Sequence, residues 1–257
     1  MQSLVARLSP DKWLWTIAGI AGFLAVWTLA SARIGNPVLL PDPAAVVSGF
    51  LSLVNDGTLW TDVRASMKRV LGGFAIASLI AVPLALAMAF SRRLGLLLNP
   101  LVIFLRPIPP IAWIPIAILW FGIGDPPSYF ITAVAAFFPI FINSYAGGHA
   151  VQPEHLHAAR SLGAGPRALF LRIYLPSAMP MIATGLRIGL GQSWMAVVTA
   201  ELIAAHSGLG YMIQANRLAL ETGLVLVGMC VIGILGALMS VVLELFESKV
   251  LVPWKVR

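Results

Sequence analysis

Few residues in this chain could do chemistry, and three that could are ionisable groups set inside long apolar runs. Arg106 heads the stretch Arg106-Pro107-Ile108-Pro109-Pro110, which is followed by Trp113, Pro115 and Trp120. Proline removes a backbone donor and clashes with the preceding turn, so this cluster predicts an interrupted helix. Lipid cannot satisfy the carbonyls that such a break frees, so the break must be buried in protein or face a water-filled cavity. A charged Arg106 at that depth has the same requirement. If the helix restarts near Ile111, its N-terminal amides and Arg106 together favour an anion in the cavity. The alternative is a kinked helix in which Arg106 snorkels or pairs structurally. Arg187, in GLRIGLGQSW, and Glu201, in AELIAA, are the other two. Gly185, Gly189 and Gly191 around Arg187 permit close helix approach, either for packing or for contact with a substrate. Glu201 lies roughly 21 Å further along a helix, too far to pair with Arg187 in the same chain. It could cap, pair with another chain, or gate.

Enzymatic chemistry finds little support. His149, His155, His157 and His206 offer no metal-binding pair at helical spacing and no HExxH, and no GxxxxGK[ST] loop is present to bind ATP. No metal site is expected. Cys230 is the single cysteine, which excludes an internal disulfide.

A different kind of site is written in His157–Pro176, HAARSLGAGPRALFLRIYLP, a polar and basic island between apolar segments. Ala158 and Ala159 leave one helical face without bulk, so another protein's surface can approach. Gly163 and Gly165 are read as positive-φ positions that end a helix, and Pro166 suits the first position of the next. Ile173, Leu175 and Pro176 return the chain to apolar surroundings.

The elements that carry these residues are membrane helices. Of 257 residues, 59% are hydrophobic and 11% charged, well below the roughly 25% charged residues of a soluble domain. Six segments reach the length of about 20 mostly apolar residues that a span needs: Trp13–Ala32, Val70–Phe90, Leu94–Phe121, Tyr129–Tyr145, Ala178–Ala205 and Leu224–Phe246. The first has Arg7 and Lys12 ahead of it and mimics a signal peptide, but its apolar run is too long and it reads as a retained helix. Between the first two spans, Ala44–Val54 reads as a short helix.

The net charge of +7 sits in short loops beside apolar runs, without the basic patch and interleaved aromatics of a nucleic-acid binder. Placing both termini in the cytoplasm puts Arg7, Lys12, Arg92, Arg93, Arg160, Arg167, Arg172, Lys249, Lys255 and Arg257 inside. Asp42, Asp56, Asp62, Asp125 and Glu221 then fall outside, with Arg33 and Arg217. Arg64, Lys68 and Arg69 also fall outside, against the rule. Their spacing suggests one polar face of an amphipathic helix lying in the interface.

The island's spacing resembles the coupling motif of ABC-transporter permease subunits: Glu-Ala-Ala, three residues, Gly, nine residues, Ile, one residue, Leu-Pro. Ala158, Ala159, Gly163, Ile173, Leu175 and Pro176 match, while His157 stands where that family has Glu and Glu154 lies one turn earlier. LLPDPAAV, RPIPPIAWIPIAILWFGIG, TGLRIGLGQSW and AELIAAHSGLGYMI are similar to the permeases of sulfonate, taurine, nitrate and bicarbonate importers.

The resemblance implies an all-α type I importer fold, one extra helix ahead of a five-helix core, forming one permease domain over residues 1–257. It implies a homodimer, two cytoplasmic ATPase subunits that carry ATP and Mg, and an outer solute-binding protein that largely sets selectivity. The chain itself would hold no cofactor. The ATPase-coupling residues would be Glu154, His157, Ala158, Ala159, Gly163, Ala164, Ile173, Leu175 and Pro176, within a loop over 151–173. The translocation residues would be Arg106, Pro109, Pro110, Trp113, Arg187, Gln192, Trp194 and Glu201. An ion-driven secondary transporter is the competing reading, and it would predict an inverted repeat and no docking island.

Overall fold

The computed structural model describes residues 10–251. Arg7, Lys255 and Arg257, assigned above to the inner side, lie outside the described residues, as does the side chain of Lys12. Among the described residues all regular structure is helical, as the apolar runs dictate. The helices are α1 (Pro10–Ile34), α2 (Pro43–Asn55), α3 (Thr58–Phe90), α4 (Arg92–Leu105), α5 (Ile114–Phe121), α6 (Asp125–His149), α7 (Pro153–Ser161), α8 (Pro166–Leu169), α9 (Leu175–Ala204), α10 (Leu209–Leu218) and α11 (Thr222–Phe246). A 3₁₀ turn, Pro110–Trp113, precedes α5, and π-helical turns occupy Phe170–Tyr174 and Glu247–Leu251.

Five helical stretches are long and apolar enough to cross a membrane. A sixth span exists only if α4 and the segment Pro110–Phe121 are counted together, and these meet at a bend of 91°. The proline cluster is the cause. Arg106 ends α4, Pro109 lies extended with ψ near 142°, and the chain restarts through the 3₁₀ turn at Pro110. The regular α-helix therefore begins at Ile114, three residues later than expected.

Two compact units share these helices: residues up to Leu59 with Met212–Cys230, and Trp60–Tyr211 with Val231 onward. In the first, Trp27 Nε1 and Ser31 Oγ of α1 donate to the carbonyls of Pro41 and Leu40, both at 2.9 Å, pinning the connection to α2. Thr222 Oγ1 at the start of α11 donates to the Val38 carbonyl at 2.6 Å.

The second unit is built on α3, α6 and α9. With no hydrophobic drive between helices in lipid, close packing through small residues must hold them. Added Cβ atoms at Gly72 and Gly73 of α3 would fall within 3 Å of Tyr129 and Thr132 of α6. Along α9, a Cβ at Gly185 would stand 3.2 Å from the Ile140 Cα, and one at Gly189 would stand 2.7 Å from Ile140 Cγ1. Gly147 of α6 meets the Ala178 carbonyl at 3.0 Å in the same way. Gly185 and Gly189 thus serve packing against α6, while Gly191 faces open space.

The amphipathic interface helix expected over Arg64–Arg69 is not formed. Thr58–Phe90 is one unbroken helix, so the helix begins a dozen residues before the apolar run of the second span, and Arg69 is buried. Three- to four-residue spacing describes both situations equally. What decides is the set of partners that other helices bring to Arg69.

Candidate functional site

The broken third span positions the first candidate site. Arg106, Ile108, Pro109 and Pro110 line an open pocket of about 380 Å³, faced by Gln192 and Ile188 of α9 and by Phe138 and Pro139 of α6. The bend is what creates it, because a continuous helix would carry these residues past α6 and α9 rather than over them. Gln192 also lines an adjoining pocket of about 240 Å³ with Pro110, Met195 and Thr199. Arg106, Pro109, Pro110 and Gln192 are therefore gathered around one open pocket with a single formal positive charge. Arginine can hold a carboxylate-, sulfonate- or phosphate-like oxyanion through two parallel N–H donors, and the Gln192 amide can donate further.

The other expected pathway residues stand elsewhere. Arg187 is not a free cation, because it forms an ion pair with Glu247 of the C-terminal π-helical turn. Trp194 is buried and donates from Nε1 to Met239 Sδ of α11 at 3.2 Å. Trp113 packs edge-on against Phe130, centroids 6.4 Å apart, with its Nε1 enclosed.

Glu201 belongs to a cluster within its own chain, and through the Gly210 N–H it caps the start of α10, one of the roles expected of it. Its carboxylate is fully buried and accepts from Arg69 Nη1 at 2.7 Å, Ser66 Oγ at 2.8 Å and the Gly210 N–H at 2.9 Å. Arg69 uses all five of its donors. Nε and Nη2 go to Asp125 Oδ1 (3.1 and 2.5 Å), Nη1 goes to Glu201 and to the Ser207 carbonyl (2.6 Å), and Nη2 also goes to Ser207 Oγ (2.9 Å). Asp62 and Ser66 take the N–H groups of Gly208 and Leu209 at 2.7 and 2.9 Å.

One guanidinium thus ties α3 to the first residue of α6, to α9 and to the turn that starts α10. Asp125 is 62% exposed, so one arm of the cluster is wet and the other dry. Gly208 is required at its centre: φ is +110°, and a Cβ there would meet the Glu201 carboxyl at 2.5 Å and Arg69 Nη1 at 2.7 Å. The sequence signal was a buried-depth glutamate near Gly208 and Gly210. Its partner, 132 residues away, carried no local mark.

The polar island forms a second candidate site. α7 begins at Pro153 rather than His157 and ends in a Schellman motif. Ala164 N–H donates to the Ala159 carbonyl at 3.0 Å and Gly163 N–H to that of Arg160 at 2.9 Å, with Gly163 at φ +81°. Gly165 differs from expectation. Its φ is −73° with ψ 169°, extended backbone that precedes Pro166 at the first position of α8.

Glu154, His157 and Ala158 are exposed, and Leu162 at the tip is 89% exposed, whereas Ala159 and Ala164 are half-buried. Ile173 sits in the π-helical turn, and Leu175 and Pro176 open α9. Leu175 and Phe170 pack on a cluster of Leu86, Ala178 and Ile182. Phe90 meets Phe170 and Tyr174 edge-on at 5.7 and 5.2 Å, fixing the hairpin to the end of α3. Among the described residues no group of His, Cys, Asp or Glu side chains could hold a metal ion.

Residues 61–252 match the profile of a family described as binding-protein-dependent transport system inner membrane component. The chain is 37% identical over 257 residues to the taurine transport system permease protein TauC of Escherichia coli, covering 95% of this chain and 93% of that one. It is 33% identical over 220 residues to the bicarbonate transport system permease protein CmpB of Synechococcus elongatus, covering 80% and 78%. Its fold is similar to a chain of the MetNI methionine ABC transporter solved in inward-facing conformations. That match has a TM-score of 0.65 and 18% identity, and covers 73% of this chain and 94% of the other.

Proposed function

Because the chain belongs to the family of binding-protein-dependent transport system inner membrane components, we propose that it forms, as a homodimer, the path by which an ATP-driven importer moves a small anion. The observation that carries the anion is the open pocket where Arg106 stands beside Gln192 at the proline break. Positive charge in a low-dielectric site strengthens its hold on an oxyanion. The charge stays moderate, since a path that binds too tightly traps its cargo. Arg187, neutralised by Glu247, adds none. An aliphatic sulfonate or taurine is placed ahead of bicarbonate, because the taurine permease is the nearer of the two relatives named above.

The partners follow from the family. Two ATPase subunits, holding ATP and Mg, dock on the hairpin of residues 153–174, where the exposed Leu162 and bare Ala158 face make a knob and a flat. A solute-binding protein docks on the opposite side and delivers the anion. The membrane subunit itself performs no catalysis. Alternating access opens the Arg106 pocket first to one side and then to the other.

Arg106→Gln is expected to lower uptake by on the order of tenfold, the loss of one charge-assisted hydrogen bond, without changing ATPase association. Arg106→Lys, a point charge without the fork, retains part of the rate. Radiolabelled uptake in vesicles reads both. A copurifying binding protein that held a neutral or cationic ligand would sink the anion reading and leave the permease itself standing.

Orientation has its own test. Both termini are placed in the cytoplasm by the excess of Lys and Arg in the loops on that side. On a Cys230→Ser background, Asp56→Cys is expected to react with an impermeant maleimide added outside intact cells, and Leu94→Cys to react only after lysis. The reverse pattern inverts the topology.

A further inference from the structure

Arg64 and Lys68 of α3 have no place in the translocation path or the ATPase hairpin, and they are the two cations of their run that the buried cluster leaves over. Both are exposed, and neither has a hydrogen-bond or ion-pair partner among the described residues. Like charges four residues apart on a helix repel. Of the carboxylates near them, Asp125, which lines the same pocket, is already engaged by Arg69, and Asp62 accepts the Gly208 N–H. The pair lines a shallow pocket of about 290 Å³ together with Asp125 and Tyr129, whose ring packs against Gly72 one turn further along α3. Two cations held in this way call for an anion from outside the chain.

The rest of the same helical face identifies the anion. From Lys68 the exposed positions continue at helical spacing through Leu71, Ala75 and Leu79, the last 76% exposed. This apolar stripe runs roughly 16 Å below the cations, about half the ~30 Å thickness of a bilayer's hydrocarbon core. A charged head and one leaflet's depth of bare hydrocarbon on one face match an amphiphile. An acidic protein or a free ion would use the cations and leave the stripe without a role. Tyr129 sits at the junction, where an aromatic ring with a polar tip is favoured. Asp125, exposed on the pocket wall, disfavours a doubly charged head and suits a monoanionic phosphodiester.

We infer that this face of α3 is a binding site for an anionic phospholipid, its phosphodiester held between Arg64 and Lys68 and one acyl chain laid along Leu71, Ala75 and Leu79. The site lies in the leaflet where α3 begins and is separate from the path of the transported anion.

Native mass spectrometry of the purified full-length chain in detergent, titrated with dioleoyl phosphatidylglycerol or dioleoyl phosphatidylcholine, tests it. The unmodified protein is expected to bind the glycerol lipid at a concentration at least tenfold lower than the choline lipid. Arg64→Gln with Lys68→Gln abolishes that preference, and Arg64→Lys with Lys68→Arg keeps it. Millimolar inorganic phosphate leaves the lipid bound. A preference that survives in the double glutamine variant, or equal affinity of the unmodified protein for both lipids, overturns the assignment. Displacement of the lipid by inorganic phosphate also overturns it and makes the pair a free-oxyanion site.

Discussion

Arg69→Met is expected to lower the melting temperature of the purified chain by on the order of 10 °C, the largest loss of any single side-chain truncation in the molecule. The reason is the state in which it leaves Glu201. That carboxylate has no exposure, and removing its one cationic partner strands a buried charge, a change that costs about 3–5 kcal/mol. The Asp125 arm adds little, because a wet ion pair is worth at most about 1 kcal/mol. The damage spreads beyond one pair, since Arg69 also holds the Ser207 carbonyl and hydroxyl that set the turn into α10. A second variant separates stranded charge from lost packing. Arg69→Met combined with Glu201→Leu removes both charges and is expected to recover much of the loss, so the two effects are far from additive. Differential scanning fluorimetry on the detergent-solubilised proteins reads all three. A melting temperature within about 2 °C of the unmodified protein in Arg69→Met would show that the cluster does not hold the fold.

Gly163→Val is expected to cut uptake to a tenth or less while the associated ATPase continues to turn over. At φ +81° a β-branched residue is strained by more than ~1 kcal/mol, and relieving the strain breaks the two hydrogen bonds that close α7. A Cβ at this position would meet nothing within 4 Å, so the effect is one of backbone conformation, not of crowding. Gly163→Asn therefore serves as the control. Asparagine enters the left-handed region readily, and most of the uptake is expected to survive. Full uptake in the valine variant would remove Gly163, and the Schellman end of α7 with it, from the coupling of ATP hydrolysis to transport.

What could be read from the residues in order was whatever depends on neighbours in sequence. The apolar runs marked the spans because span length is a local property. Three prolines in four positions marked the break because each one disrupts its own helix. Ala-Ala-x₃-Gly marked the hairpin because helix ends are set by the few residues around them. Arg69 shows where such reading stops. Its neighbours Arg64 and Lys68 made it look like a third member of a polar face, while its true partners lie 56 and 132 residues further on. Arg187 failed in the same way, since the carboxylate that neutralises it is 60 residues away in the C-terminal turn. Trp194 lay in a stretch that also holds Gln192, and only the packing of α11 turns one inward and leaves the other at a pocket. Partners distant in the chain are chosen by helix packing, and a buried charge makes no pattern around itself.

The glycine contacts between α6 and α9 bear on how force travels. Backbones that touch at Gly147, Gly185 and Gly189 cannot slide past each other without riding over the Ala178 and Ile140 main chains. The two helices are therefore stiff in shear and behave as one connecting rod. α9 has 30 residues, about 45 Å of rod, with the hairpin of residues 153–174 joined to one end and Glu201 three residues from the other. A displacement imposed at the hairpin arrives at the Arg69 cluster with little lost to compression on the way. The compliance of the machine must then sit at its joints. The joint nearest the hairpin is the π-helical turn at Phe170–Tyr174, where the regular hydrogen-bond ladder of α9 gives way.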